Sequence, residues 1–339
     1  MKQTSFFLLL LFALSSAVNA QSGYHVGKTF HIASPGGWAY PASDPGSNKL
    51  YLSHGSQVNI LDKTTGDSLG FIPNTTGVHG IAFDDALGKG YTSNGRLNSV
   101  TVFDLKTGDI LGQVAVGKNP DWIMYDPFSK KIITSNLSDG ALSVIDPATD
   151  EVVATISLDG AKLETVVSDN AGKLFVNAED KNEIIAIDIV TNKVVTHWPL
   201  GAEGPTGLAI DVKTKRLFSI CNKTLVVMDA TNGKMVASLP IGDGSDQYIG
   251  AAFDPLTRLA FAAKGDEGTL TVIKEVSANE FKVIDNVKTK RGARTITIDE
   301  KTHKLFLPTA DYEPLPAEPI KNSRPKMIDG SFQVLVLEK

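Results

Sequence analysis

The chain has 339 residues, with 33 basic and 38 acidic side chains giving a net charge of −5, and a single cysteine. The charges are interspersed, without the concentrated basic face that duplex-DNA proteins usually carry. Cys221 alone cannot form an intramolecular disulfide, so the fold has to hold itself by burying apolar surface, which a chain of this length can do.

The N-terminal segment reads as an export signal. Lys2 supplies a positive start, an apolar run extends from Phe6 to Leu14, and Val18-Asn19-Ala20 has the small-x-small pattern of a signal-peptidase site. The run is shorter than the roughly 20 residues that span a bilayer. Cleavage after Ala20 is therefore expected, leaving residues 21–339 as one unit in the periplasm or outside the cell. Gln21 follows the cut, so lipid attachment to a new N-terminal cysteine is excluded. No later segment is long and apolar enough to cross a membrane, and no membrane insertion is expected.

The rest of the chain is a repeat. Val58-Asn59-Ile60-Leu61-Asp62, Val100-Thr101-Val102-Phe103-Asp104, Leu142-Ser143-Val144-Ile145-Asp146, Ile184-Ile185-Ala186-Ile187-Asp188 and Leu225-Val226-Val227-Met228-Asp229 are alternating apolar strands closed by aspartate, spaced 42, 42, 42 and 41 residues apart. Each runs into a polar turn and another strand, a hairpin signal. A second register, Asp44, Asp84, Asp126, Asp169, Asp211, Asp254 and Asp299, marks seven units, each with four short strands. Four strands in about 42 residues is the blade of a propeller. No blade can bury both faces alone, and a ring of seven buries them between neighbours. The expected fold is all-β: a seven-bladed β-propeller with four-stranded antiparallel blades. The last unit lacks a fourth strand, since Gln333–Glu338 is its third. The spare strand from Val26 to Ile32 should complete it and close the ring. The sixth and seventh units replace the second aspartate by Lys274 and Glu338. The seventh also inserts a proline-rich segment, Asp311 to Asp329, expected to be a surface loop.

These motifs resemble the YVTN-repeat β-propellers, a family of exported bacterial proteins. The resemblance rests on Pro205-Thr206-Gly207 ahead of a first strand, Asp126-Pro127 and Asp254-Pro255 at turns, Leu174-Phe175-Val176-Asn177 as a second strand and Ser143-Val144-Ile145-Asp146 as a third. It implies a WD40-like repeat scaffold. Its functional implication is loose, because related propellers include binding proteins, lactonases and a single-strand DNA binder, and a fold does not select among them.

A site is expected where the loops into the first strands, and those between second and third strands, gather at the channel mouth. Residues five before each marker aspartate give a ring that includes His79, Asp121, Glu164 and Arg294. Trp38, Trp122 and Tyr248 adjoin it, and His54, Arg96 and Lys264 come from the second loop set. These ten are the candidate ligand-binding residues, serving an unidentified small molecule or protein partner of a monomeric scaffold. No residue is assigned as catalytic, and neither cofactor nor metal is assigned. Two alternatives stay open. Glu164, Asp121, Asn136 and Asn177 would form an oxygen-rich cation site for a lactonase-like hydrolase. Arg96, Arg294 and Lys264 with the aromatics would hold a single-stranded nucleic acid, which the overall charge does not favour. Trp38 and Trp122 serve equally well as packing between blades. Cys221 and the aspartates that close the third strands read as structural.

Overall fold

The computed structural model describes residues 21–32, 36–243, 249–313 and 326–339. The signal segment therefore lies outside the described residues, as do Tyr248 and most of the proline-rich insertion.

The described residues form seven separate four-stranded antiparallel sheets. The first is built from Trp38–Ser43, Lys49–His54, Gln57–Asp62 and Ser68–Ile72, and the next five repeat its consecutive order. Five of the third strands end at the aspartate that marks the repeat, as in Gln57–Asp62 and Ser99–Asp104. These aspartates are spent on the following turn. Asp62 accepts the amides of Thr64 and Thr65 at 2.8 and 2.9 Å, and Asp104 those of Lys106 and Thr107, both at 2.8 Å. The bonds stabilise the ionised form and hold both carboxyls below their ordinary range. In the sixth blade Lys274 stands in for the aspartate and reaches the Thr257 carbonyl at 2.6 Å.

First strands of adjacent blades lie against each other around the ring, Trp38–Ser43 on Val78–Asp84 and Val78–Asp84 on Pro120–Asp126. Fourth strands face outward and leave Phe71, Leu111, Val153 and Val195 exposed. The apolar core is divided among the blade junctions. The third and fourth blades share Ile133, Leu142, Val144, Leu174, Val176 and Ile185, and the fourth and fifth share Phe175, Ile184, Leu217 and Val226. Cys221 belongs to the second of these clusters, and burial pushes its thiol up to about 11, away from the reactive thiolate.

The ring closes as the strand count requires. His25–His31 pairs antiparallel with Gln333–Glu338, His25 opposite Glu338 and His31 opposite Gln333. Phe30 and Ile32 then pack with Leu50, Leu52, Phe306 and Val334 across the junction of the last and first blades. The same seam holds a buried ion pair, Lys63 Nζ to Asp299 Oδ1 at 3.5 Å, with Lys63 also donating to the carbonyls of Asp44 and Ser47. The base of the proline-rich insertion is pinned by an antiparallel bridge between Tyr312 and Met327.

Candidate functional site

At the mouth of the ring, the loops of the first and second blades surround an open cleft of about 650 Å³. Its walls carry Trp38, His79, Arg96 and Asn119, and its rim is glycine: Gly36, Gly37, Gly55 and Gly77. The glycines are linked by backbone hydrogen bonds that step from loop to loop. Gly55 N–H donates to Gly37 O at 2.8 Å, Gly77 N–H to Gly55 O at 3.0 Å, and Gly95 N–H to Gly77 O at 2.8 Å. Gly77 has φ +73°, and a Cβ there would lie 2.7 Å from Arg96 Cγ and 2.8 Å from Arg96 N. At Gly95 a Cβ would first meet the movable ends of two side chains, Asn119 Oδ1 at 2.5 Å and His79 Nε2 at 2.9 Å. The approach to Gly77 thus fixes the base of the Arg96 side chain at the rim.

Trp38 forms one wall on a stack of rings. Phe332 lies nearly parallel to it at 5.5 Å between centroids, the Arg294 guanidinium sits over its ring at 5.3 Å, and Tyr312 lies at 6.3 Å. Trp38 is 8 % exposed, yet its indole N–H has no partner among the described residues.

The neighbouring stretch of the rim is acidic. His79, Asp121 and Glu164 come from the first strands of three consecutive blades. His79 Nδ1 stands 3.8 Å from Asp121 Oδ1, too long for a hydrogen bond. Burial drives the Asp121 carboxyl above its ordinary range, against the opposing pull of His79 and Lys162. Glu164 is pushed up to about 9 by burial first, then by its hydrogen bond with Glu179 and by the charge of Asp121. It is therefore protonated at neutral pH. Lys162 lies 3.8 Å from Glu164 and is ion-paired with Glu179.

Four of the remaining candidates are occupied by structural work. His54 is 1 % exposed, donates from Nε2 to the Gly36 carbonyl at 2.8 Å and stacks on Phe332 at 4.2 Å. Burial lowers its pKa, so it supports the rim as a neutral ring and does not project from it. Lys264 is 4 % exposed and bonded to the Ile241 carbonyl and to Glu267, both at 2.5 Å. Arg294 donates to the Trp38 carbonyl at 3.3 Å besides covering its ring. Trp122 meets Tyr40 of the first blade edge to face at 5.0 Å and packs on the junction of the third and fourth blades. Neither Trp38 nor Trp122 is thus an open stacking platform.

The oxygen-rich set expected for a lactonase does not assemble. Asn136 turns inward to Ser143 Oγ at 2.9 Å, and Asn177 donates to the carbonyls of Thr206 and Gly207 in the next blade. Among the described residues no three His, Cys, Asp or Glu side chains are grouped to hold a metal ion. Three contributors went unnoticed in the sequence: Asn119, Lys162 and Phe332. The first two are ordinary loop residues, and Phe332 lies outside any repeat register, so only the recurrent rim glycines hinted at a built cleft.

No family model and no curated protein matches the chain. Among solved structures, a chain of Kuenenia stuttgartiensis hydrazine synthase is similar over 82 % of this chain and 94 % of that one, with a TM-score of 0.70 at 17 % identity. At that identity the likeness establishes the propeller architecture, and the chain is an all-β seven-bladed β-propeller.

Proposed function

We propose that the protein is an exported binding scaffold of the YVTN-repeat type, monomeric, whose ligand docks in the glycine-rimmed cleft between the first and second blades. The family assignment is supported by the repeated third-strand and turn motifs, and export by the apolar run Phe6 to Leu14 ahead of Val18-Asn19-Ala20. The observation that carries the binding role is the cleft. Its volume of about 650 Å³ falls within the range of small-molecule sites, and the loops that carry its few polar groups are hydrogen-bonded to one another. Among the described residues, Trp38 and Trp122 at this mouth are already covered by neighbouring side chains, which favours a compact ligand over a single-stranded nucleic acid.

A ligand that binds only the folded state raises the melting temperature, and the more so the further its concentration exceeds its Kd. A thermal-shift screen of residues 21–339 against a small-molecule library, repeated on His79→Gln and Arg96→Gln, tests the proposal. Hits should stabilise the parent and lose most of that effect in one or both variants. Compounds that stabilise all three equally would place the binding site elsewhere.

A further inference from the structure

We infer that the cleft selects a small organic anion, one bearing a carboxylate or phosphate, held by Arg96. The inference rests on the cleft being the ligand site and adds the charge class of its occupant.

The first ground is charge contrast. The protein carries a net charge of −5, yet the described residues around the cleft supply a guanidinium, an imidazole, an indole and an amide, and no carboxylate. The nearest carboxyl beside His79 belongs to Asp121, which burial shifts toward its neutral form, so it repels an incoming anion weakly.

The second ground is unused donor capacity. Arg96 is exposed and makes no ion pair among the described residues. Its backbone lies in a short 3-10 turn, Gly95–Leu97, with the base of its side chain against Gly77, which places the guanidinium at the cleft wall. A guanidinium calls for oxygen acceptors, and a charge-assisted bond favours an ionised one.

The third ground separates a small anion from a polymer. Phe332 and Arg294 already cover the Trp38 ring, and Tyr40 abuts Trp122. Among the described residues a nucleic-acid strand would find neither tryptophan open for the base stacking such sites provide.

The test follows the indole N–H signal of Trp38 in ¹⁵N-labelled protein, assigned with Trp38→Phe. The probes are inorganic phosphate, citrate, neutral maltose and an oligothymidylate. Citrate or phosphate should shift the signal saturably, and Arg96→Gln should weaken the affinity about tenfold or more while leaving the melting temperature of the free protein unchanged. Maltose shifting the signal equally, with Arg96→Gln without effect, would overturn the charge class and leave the cleft as the site. Tight oligothymidylate binding that grows with length would overturn the small-molecule class. A signal unmoved by all four probes, with library hits that still depend on His79, would refute the anion but not the docking site; no hits at all would refute both.

Discussion

Two stretches of one rim stand side by side on the same scaffold. Between the first and second blades the mouth is glycine, tryptophan and arginine around a cleft. Between the third and fourth it is Lys162, Glu164 and Glu179, paired with one another, beside a buried Asp121 whose Oδ1 has no hydrogen-bond partner among the described residues. The strands beneath them are near-copies, so the difference comes from a handful of loop positions. The first stretch keeps the Arg96 donors unspent, and in the second Lys162, Glu164 and Glu179 engage each other. Polarity alone therefore does not distinguish a binding face from a structural one; the test is whether the polar groups have already found each other.

The comparison breaks most severely if the support under the cleft is removed. Phe332 is 1 % exposed and carries both His54 and Trp38, so Phe332→Ala should cost about 3–5 kcal/mol by chemical denaturation. The depressed pKa of His54 should then return toward its ordinary value in an NMR titration; an unchanged His54 would mean that its burial does not depend on Phe332.

Next in size is the rim backbone. Gly77→Ala meets both the left-handed φ and Arg96, and should cost about 1–3 kcal/mol. Gly55→Ala shares the positive φ, but its only close neighbour among the described residues is Gly36 Cα at 4.0 Å, so it should cost less. Equal losses in the two variants would show that Arg96 is not pressed against the rim.

The acidic stretch gives a smaller, pH-dependent effect. Because Glu164 keeps its proton in the folded protein up to about pH 9, unfolding releases that proton at neutral pH. Its stabilising contribution is complete below the ordinary glutamate pKa and is lost as pH rises through about 9. Glu164→Gln fixes the neutral form, and should be more stable than the parent at pH 8 to 9 by about 1–2 kcal/mol. That advantage should vanish near pH 4. A constant difference across this range would refute the shift. Smallest of all, Arg96→Gln should change stability by no more than about 0.5 kcal/mol, as expected of an exposed side chain without a partner.

Much of the architecture was legible because it is written periodically. The aspartates from Asp62 to Asp229 recur since each must cap the same turn, and the missing strand of the last blade pointed to Val26 to Ile32, which the structure forms one residue earlier as His25–His31. The rim register also brought His79, Asp121 and Glu164 onto three consecutive blades. What escaped was the assignment of partners. Nothing at His54, Lys264 or Arg294 announces that Phe332, Ile241, Glu267 or Trp38 would claim them. Those contacts are made between loops whose lengths vary, where no repeat constrains which atoms meet. Tyr248 lies outside the described residues and adds nothing to either stretch.

The pairing of His25–His31 with Gln333–Glu338 also has a kinetic consequence. The two partners are separated by nearly the whole chain, so this is the longest-range strand pairing among the described residues, and loop-closure entropy must be met before it forms. Each of the other blades can form from one continuous stretch as synthesis proceeds, but the final latch has to wait for the last residues to emerge. Until then Phe30, Leu50, Phe306 and Val334 present apolar surface to water, and the half-open arc is the species most exposed to aggregation.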